Sequence, residues 1–560
     1  MAAGMDIALV AGKSSLMTTQ KQMAVISNNV SKANDPDYHR QTTSIDPNVM
    51  VMGDSGYFGT GAHIAMVVRQ YDAALETSLR NAKSSNSYEQ AYYRQLTGIE
   101  DVLAPGVSDQ LDGVIQTFAT MMQSVATSPE ELANRTAFIG SAENLVDRLN
   151  QNYDNMSQIR NYISTNDANG TGAITKALED VKNLLQRVPA LNKRIRELEE
   201  NGFRNQKAND LRDERDKIVT GIAEYIDITV SEGSDSRYTI ICDGNTLING
   251  TYTPDLSADY MVIKMTNTPP SPHFVPSIVL NSDNATTVNL SSGKVEAYVD
   301  AHAYVTGKMD EIYSYAQNYG DSITDPGAHW EAANAYVLND AVRPVPSNGY
   351  AYTATAVVGN SGAAQPAWPV VIGNTVVDGG VTWTVTGKFS VVNASHMEGY
   401  DLYGNSGGKL FTMAATQPAA GNILSVAISE SQKVAASSVG DETAADPAIE
   451  VEKGNGGNML SLWSDINSTT TPDPALSGES ILSYPNRYIS TISRDVASAK
   501  DRADTSSNIQ NMFQNAVFEV SAVNMDDEMT DMLEVQRTYQ ATAKLMNVID
   551  QMIGTVLEML

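Results

Sequence analysis

The chain has 560 residues, with 37 lysines and arginines against 66 aspartates and glutamates, so its formal net charge is −29. This length predicts about three or four domains, and the negative charge disfavours nucleic acid and anionic membrane surfaces as partners. A single cysteine excludes an internal disulfide and a cysteine-based metal site. The N-terminus has no basic residue before its short apolar run, and no segment approaches about 18 apolar residues, so we expect neither a secretory signal peptide nor membrane insertion.

The first predicted element is a long helix over about residues 5–30. Its apolar residues recur every seven positions, which is the spacing of a helix that packs along another helix. The sequence VSKANDPDYHR (30–40) then ends the helix in a polar turn, where we expect His39 to be exposed. The predicted packing residues of this helix are Leu9, Leu16, Met23, Ile26 and Val30.

Long helices dominate the next part of the chain. Heptad patterns over 132–163 and 174–198 predict two of them, the second bent at Pro189. Residues 226–290 change to short strand-like runs separated by turn dipeptides, which predicts a β domain. Helical patterning then returns over 294–323.

Residues 326–389 differ in composition from their surroundings and contain three of the four tryptophans. Two interpretations are open for their aromatic residues, which either form a ligand face for sugar stacking or fill the core of a small β module. We favour the core, because a domain of about 60 residues is only marginally stable without its aromatics inside. The candidate ligand face consists of Trp330, Tyr350, Trp368 and Trp383.

Motifs for catalysis and metal binding are incomplete. The sequence GNSGG (404–408) matches a serine nucleophile elbow around Ser406, but all six histidines precede this serine, so we favour a tight turn over an esterase site. The histidines form no pair at metal-ligand spacing. We therefore predict a protein that is not an enzyme and that binds no cofactor or metal.

The chain ends in a second heptad helix, from about residue 525. Its methionine-rich seam can be core or binding surface, and the apolar face of so long a helix must be buried against a partner. The N-terminal helix is the first such partner, and the two together still leave apolar surface for neighbouring subunits. The predicted packing residues are Met525, Met529, Met532, Val535, Tyr539, Met546, Ile549, Ile553, Val556 and Leu560.

Both ends of the chain resemble the flagellar axial proteins, the family of rod, hook and hook-associated proteins. The sequence SNNVSKANDPDYHRQTT (27–43) is similar to the turn after the family's N-terminal helix, with Asp35 and Asp37 where the family tends to have threonine and glycine. The sequences AVNMDDEM (522–529) and QRTYQATAK (536–544) are similar to its C-terminal helix. The matching turn residues are Asn28, Asn29, Asn34, Pro36, Tyr38 and Arg40.

Three interior runs resemble the hook-associated branch that forms the first hook–filament junction: NDLRDERDKIV (209–219), SSGKVEAYVDAHAYVTGKMDEI (291–312) and VNASHMEGYDLYGNSGGKLF (392–411). The resemblance does not extend over 326–389, which it marks as an insertion. It implies a structural subunit that assembles as a ring and adapts the hook to the filament. The implied location is extracellular, at the hook–filament junction of the bacterial flagellum, after a transient cytoplasmic stage.

The resemblance also implies the partners. These are identical subunits in the ring, the hook protein and the second junction protein (hook-associated protein 3). Export would involve the flagellar type III apparatus and a cytosolic chaperone that holds the C-terminal helix through its packing residues. The alternative function is a surface adhesin whose insert binds glycan or another surface ligand.

The predicted fold class is an α+β multidomain protein with paired, coiled-coil-like terminal helices. Residues 1–45 and 520–560 form the terminal helical domain, which the resemblance places as an inner tube. A mainly helical rod domain comprises 46–225, 292–325, 390–410 and 432–519. An outer β domain comprises 226–291 and 411–431, and the Trp-bearing β module is inserted at 326–389.

Overall fold

The computed structural model has the mixed helical and β architecture that the sequence predicts, with long helices at both ends. Within the part of the chain that it describes, no helix is long and apolar enough to cross a bilayer. The described residues are 2–53, 56–103, 110–164, 172–201, 207–250, 261–267, 274–280, 286–321, 328–344, 348, 350–388, 390–414, 416–439, 453–469, 476 and 478–558.

The terminal helices pack against each other along their length. Helix α1 covers Ala2–Lys32 and the last helix, α11, covers Met525–Glu558. Gly12 lies against Met546, where an added side chain would collide, and at the other end of the pair Asn29 donates a hydrogen bond to Glu528. The two helices are therefore antiparallel.

Two β-hairpins follow helix α1. Strand β1 (Gln41–Pro47) pairs antiparallel with β4 (Ala62–Arg69), with a register shift between Ser44 and Ile45, and the short strands β2 (Val51–Gly53) and β3 (Gly56–Phe58) pair beyond them. These residues were predicted to belong to two helical domains, 1–45 and 46–225, and the hairpins were not predicted. The alternating sequence HIAMVVR at residues 63–69 is the local signal that indicates a strand.

A bundle of helices carries the main hydrophobic core. Phe118 and Phe138 stack within it, and Phe118, Tyr319 and Phe411 meet edge to face, with ring-centroid distances of 5.2–6.4 Å across the four rings. The predicted helices over 132–163 and 174–198 are both present, and Pro189 lies inside the second. The helices are α2 (Ala73–Leu103), α3 (Leu111–Thr127), α4 (Leu132–Ser164), α5 (Ala173–Asn201), α6 (Asn209–Ala223), α7 (Lys294–Ala316), α8 (Val391–Met397), α9 (Gly457–Asn467) and α10 (Tyr484–Ser521).

Two three-stranded antiparallel sheets lie between α6 and α7. One contains β5 (Thr229–Glu232), β6 (Tyr238–Cys242) and β7 (Asn245–Asn249). The other contains β8 (Met261–Asn267), β9 (Phe274–Leu280) and β10 (Thr286–Val288). The predicted change from helices to strands near residue 226 is therefore present.

The segment 411–431 does not join these sheets, in contrast to the predicted outer β domain. Its strands β16 (Phe411–Met413) and β17 (Leu424–Val426) pair only with each other among the described strands. Asn150 of α4 accepts a hydrogen bond from Ile423 N and donates one to Leu424 O, both at 2.9 Å. This segment is thus attached to the helical core.

The insert folds around a hydrophobic core of its own. Its sheet has five strands, β11 (Ala328–His329), β12 (Ala341–Arg343), β13 (Tyr350–Val357), β14 (Thr375–Asp378) and β15 (Val381–Lys388). Their order in the sheet is β11-β12-β13-β15-β14.

A buried polar cluster joins the two chain ends that flank the insert. Ser390 N donates to Asp321 Oδ1 at 2.9 Å, and the amide of Asn393 donates to Asp321 Oδ2 at 3.0 Å. The Asn393 carbonyl accepts from the backbone N–H groups of Leu410 and Phe411, both at 2.9 Å. We call these residues the stem cluster, since they close the base of the insert.

Candidate assembly surface at the terminal helices

Helix α1 ends in a turn that two aspartates complete without backbone strain. Asp35 N donates to the carbonyl of Lys32 at 2.9 Å, Tyr38 N donates to the carbonyl of Asp35 at 3.2 Å, and the Asp35 carboxylate accepts from Asp37 N at 3.1 Å. Asp37 occupies the position where the family tends to have glycine, yet its φ is not positive. The described non-glycine residues with positive φ are Ser236, Asp243, Ala333 and Asn339.

Asn29 is the centre of the polar contacts that hold this turn. Its side-chain carbonyl accepts from the Tyr38 hydroxyl at 2.8 Å and from Gln41 N at 3.0 Å. Its amide donates to Gln41 O at 2.9 Å and to Glu528 Oε2 at 3.0 Å. One buried side chain therefore connects α1, the turn, strand β1 and helix α11.

Arg40 makes the second connection to α11. Its Nε donates to Glu528 Oε1 at 2.6 Å, its Nη2 lies 3.3 Å from Asp531, and its backbone N–H donates to Ser521 O at 2.8 Å. Glu528 is only 1% exposed. A buried carboxylate requires such partners, so the family-motif residues Asn29 and Arg40 fix the start of α11.

His39 is buried, and the prediction of an exposed turn residue was wrong. Its Nδ1 lies 2.8 Å from Asp213 and its Nε2 lies 3.0 Å from Glu76. Burial alone would lower the pKa of His39, but hydrogen bonds to these two carboxylates outweigh it and raise the pKa to about 9. Arg69 bridges Asp213 and Asp216 at 2.7 Å, so the turn is joined to α6 by a buried ionic cluster.

Most of the predicted seam residues lie between the terminal helices. In α1, Ile26 is buried, and the other four predicted residues are partly buried. In α11, Ile549 is buried and the residues at 532, 535, 539, 546 and 553 are partly buried. Polar pairs lie between the helices as well, at Gln20–Tyr539 (3.3 Å) and Ser15–Thr542 (3.4 Å). The side chain of Val556 and all of Leu560 fall outside the described residues.

Met525 and Met529 do not pack on α1, so their predicted role in packing between subunits stays a prediction. They are 45% and 48% exposed, since they point away from the face that contacts α1. Further apolar side chains of α11, which the seven-residue repeat did not select, are exposed too. These are Leu533, Leu545, Val548 and Met552.

The family-motif residues at the tip of the turn have smaller roles. Asn28 donates to the Tyr38 hydroxyl at 3.3 Å, and Lys217 pairs with Asp37 at 2.7 Å on the surface. Asn34 and Pro36 line a small cavity of about 280 Å³ that lies against Phe518.

The aromatic residues of the insert lie mainly in its core. Trp330, Tyr350 and Trp383 are buried and Trp368 is partly buried, so the four do not form the candidate ligand face. The indole N–H groups of Trp330 and Trp383 both donate to the buried Asp378 carboxylate, at 2.7 and 3.1 Å. The small module needs these side chains inside, which is the interpretation favoured from its size.

The surroundings of Ser406 are those of a tight turn. Gly404 adopts a φ of 84°, and a side chain at Gly407 would collide with the carbonyl of His396. His396 Nε2 accepts from Ala435 N at 2.9 Å, so its Nδ1 carries the proton and donates to Gly408 O at 2.7 Å. Both ring nitrogens are thus used by the backbone, and neither acts as a base toward Ser406.

Two family models match the chain. The model described as the helical domain of flagellar hook-associated protein FlgK matches residues 96–325. The model described as the C-terminal region of flagellar basal body rod FlgEFG proteins matches residues 514–559, which include α11.

Similar proteins match different shares of the chain. Flagellar hook-associated protein 1 of Salmonella typhimurium is 29% identical over 44% of this chain, and the match spans 43% of that relative, less than half its length. The Escherichia coli protein of the same name is 24% identical over 95% of this chain and 96% of its own. The solved structure of the flagellar hook junction protein FlgK from Burkholderia pseudomallei aligns with a TM-score of 0.48 and 14% identity, over 78% of this chain and 98% of that one.

Proposed function

We propose that the chain belongs to the FlgK-like flagellar hook-associated proteins and that it is a structural subunit of the hook–filament junction. In this function it assembles with identical subunits as a ring and adapts the hook to the filament. It carries out no reaction. Its neighbours along the axis are the hook protein and the second junction protein, hook-associated protein 3.

One observation carries the proposal, the apolar surface that α11 leaves exposed after it has packed on α1. Six large apolar side chains of this helix are between 45% and 54% exposed. Burying the remaining exposed part of each contributes about 1 kcal/mol, so a neighbouring subunit gains several kcal/mol from this helix alone. Exposed stripes of this kind mark protein interaction sites.

The buried junction of Asn29, Arg40 and Glu528 gives this surface a fixed orientation. Since these three residues set where α11 begins, its exposed stripes have a defined position relative to α1 and to the helical core. A subunit in a ring needs such preorganisation, because each contact must repeat with the same geometry.

Export and domain placement follow from the same proposal. Before assembly, the exposed face of α11 is the surface that a cytosolic chaperone covers, and the chain leaves through the flagellar type III apparatus to reach the extracellular flagellum. In the ring, the terminal helices form the inner layer, the helical bundle forms the middle layer and the β domains face outward.

The alternative function, a surface adhesin acting through the insert, lacks its expected ligand face. The tryptophans that would stack on a sugar are core residues of the module. No other observation in the described residues favours adhesion over the structural function.

Complementation of cells that lack their own first junction protein tests the proposal. We expect a chain carrying Leu545→Asp and Met552→Asp to reduce the number of filaments per cell roughly tenfold or more, since a buried interfacial carboxylate costs at least 1.4 kcal/mol per site. Both residues are exposed, so the variant folds and its export is checked in the medium.

A chain without residues 328–388 is the matched control, because deleting these residues removes a separate module and leaves the terminal helices intact. It is expected to restore filaments and to be found at the junction by labelling. Normal filaments from the double aspartate variant, or wild-type chain found anywhere but the junction, would contradict the proposed function.

A further inference from the structure

A groove of about 650 Å³ lies on the side of α1 that faces away from α11. Gly12, Ser15 and Thr19 are on the α11 side of the helix, whereas Lys21 and Ala24 point roughly the opposite way. Strand β4 and helices α5 and α6 form the other walls. The lining combines apolar and basic side chains, among them Lys21, Ile64, Met66, Arg194, Leu198 and Leu211.

The groove is basic in a protein of net charge −29. Lys21 and Arg194 form no ion pair within the described part of the chain. Lys207 adds a third positive charge and forms an ion pair with Glu199 at 3.3 Å. The one carboxylate among the described lining residues, Asp210, is already bound by Lys32 at 3.2 Å and by Gln41 at 3.0 Å. The groove therefore suits an acidic and partly apolar occupant.

The first three turns of α11 have these two properties. Met525, Met529 and Leu533 form an exposed stripe at a spacing of four residues, and all three are about half exposed. Residues 525–534 contain five carboxylates and no basic residue. Glu528 is buried and Asp531 is paired with Arg40, which leaves Asp526, Asp527 and Glu534 exposed. Exposed apolar residues also occur on α10, at Ile509, Met512, Phe518 and Val520, but residues 508–521 carry only one charge, Glu519.

We infer that the groove between α1, β4, α5 and α6 binds the first three turns of α11 from a second copy of the chain. Charge complementarity selects this stripe over the neutral one on α10. The groove and the stripe are different surfaces of one subunit, so the contact is head to tail, and a contact of this kind forms a ring when its rotation closes. The inference rests on the proposed function and specifies the pair of surfaces that it needs.

Cysteine cross-linking on assembled protein tests the inference. In a Cys242→Ala background, two chains are produced together in cells that lack the native protein, one carrying Ala24→Cys and the other Met529→Cys. Both positions are exposed and the chains remain full length. Isolated hook–filament structures are then treated with a short bismaleimide, and dimers are measured on a denaturing gel.

The control pairs replace Met529→Cys by Met512→Cys on α10 or by Met552→Cys at the far end of α11, which are equally exposed. We expect the 24–529 pair to give roughly tenfold more dimer than either control, since residues held in contact react at a high effective concentration. Adding Lys21→Glu and Arg194→Glu to the Ala24→Cys chain is expected to lower the yield severalfold.

The outcomes separate the inference from the proposed function. If both cysteine chains are incorporated at the junction but the 24–529 pair gives no more dimer than the controls, the groove is not the binding site, and the proposed function stands. If the charge reversals leave the yield unchanged, charge does not select the stripe and the inference is overturned. If the cysteine-free background chain is never incorporated, the proposed function fails and the inference with it.

Discussion

Two buried histidines lie where two other parts of the molecule join the helical core, and one ring is charged whereas the other is neutral. His39 joins the terminal helices to the helical core between the carboxylates of Asp213 and Glu76, which raise its pKa to about 9 against the effect of burial. His396 supports the segment beyond the insert through backbone partners, and burial lowers its pKa to about 4. The first histidine is held as a cation and the second as a neutral ring.

The difference concerns what each attachment can tolerate. The terminal junction depends on charge pairs, namely His39 with two carboxylates and Arg40 with Glu528, and it therefore responds to pH and to the loss of one charge. The stem cluster contains one ion pair, between Asp321 and Lys409 at 3.0 Å, but Asn393 holds its backbone groups through neutral hydrogen bonds, so the cluster responds to the loss of hydrogen-bonding geometry. Each of the following changes acts on one region and spares the other.

The largest effect is expected from Asn393→Ala in the stem cluster. The substitution leaves the N–H groups of Leu410 and Phe411 without their acceptor and removes a donor from Asp321. Buried unsatisfied groups cost about 1–3 kcal/mol each, so we expect a loss of about 3–5 kcal/mol in local stability. Hydrogen exchange over 391–413 measures it, and the exposed Asn405→Ala is the control; equal exchange in both would show that the cluster is not required.

A smaller loss, about 2–3 kcal/mol, is expected from Glu528→Ala at the terminal junction. Asn29 and Arg40 lose a buried partner, but Arg40 is partly exposed and regains water, which limits the cost. Limited proteolysis between α10 and α11 reports the loosened junction, with Asp527→Ala, an exposed neighbour, as control. Unchanged cleavage in the Glu528 variant would mean that α11 is held by its apolar seam alone.

The two regions should respond to pH in opposite directions. The folded pKa of His39 lies above the ordinary value of 6.5, so its contribution is complete below pH 6.5 and is lost as the pH rises toward 9. The folded pKa of His396 lies below 6.5, so its contribution is complete above pH 6.5 and is lost as the pH falls toward 4.

Hydrogen exchange, corrected for intrinsic rates, separates the two pH responses. Peptides covering 34–45 should lose protection between pH 7 and 9, and peptides covering 391–411 should lose it between pH 7 and 4. His39→Asn removes the alkaline response and keeps the acid one. Loss of protection in both segments at the same pH would contradict the opposite charge states.

The smallest effect is expected from Lys217→Ala. Lys217 pairs at 2.7 Å with Asp37, which lies in the same turn as His39, but the Lys217 side chain is 61% exposed. Exposed ion pairs contribute about 0.5 kcal/mol or less, so protection of residues 34–41 should hardly change. A loss as large as that of Glu528→Ala would show that the turn, and not the buried cluster, controls the junction.

The regular spacing of apolar residues in the sequence predicted the helices that pack through one apolar face. The seven-residue repeats located α1, α4, α5 and α11 and most of the residues between the terminal helices. The aromatic composition of the insert indicated a separate core, which the structure contains. In each case the information lies within one element, where neighbouring residues determine which face is apolar.

Long-range polar pairing was not predictable in the same way. His39 meets Glu76 and Asp213, which lie 37 and 174 positions further along the chain, and nothing in the local turn sequence indicates these partners. Of the exposed stripe, Met525 and Met529 were among the predicted packing residues. Leu533 was missed because a seven-residue repeat selects one seam, whereas a straight helix carries other apolar residues around its surface.

The closed stem of the insert separates the module from the rest of the molecule. Because Ser390 N bonds directly to Asp321, the two chain ends leave the helical core side by side, and the core is complete whatever the chain does between them. An inserted module attached in this way can be exchanged, enlarged or deleted in evolution without changes to the helical core. A foreign domain inserted at the same position is expected to leave the helical core unchanged.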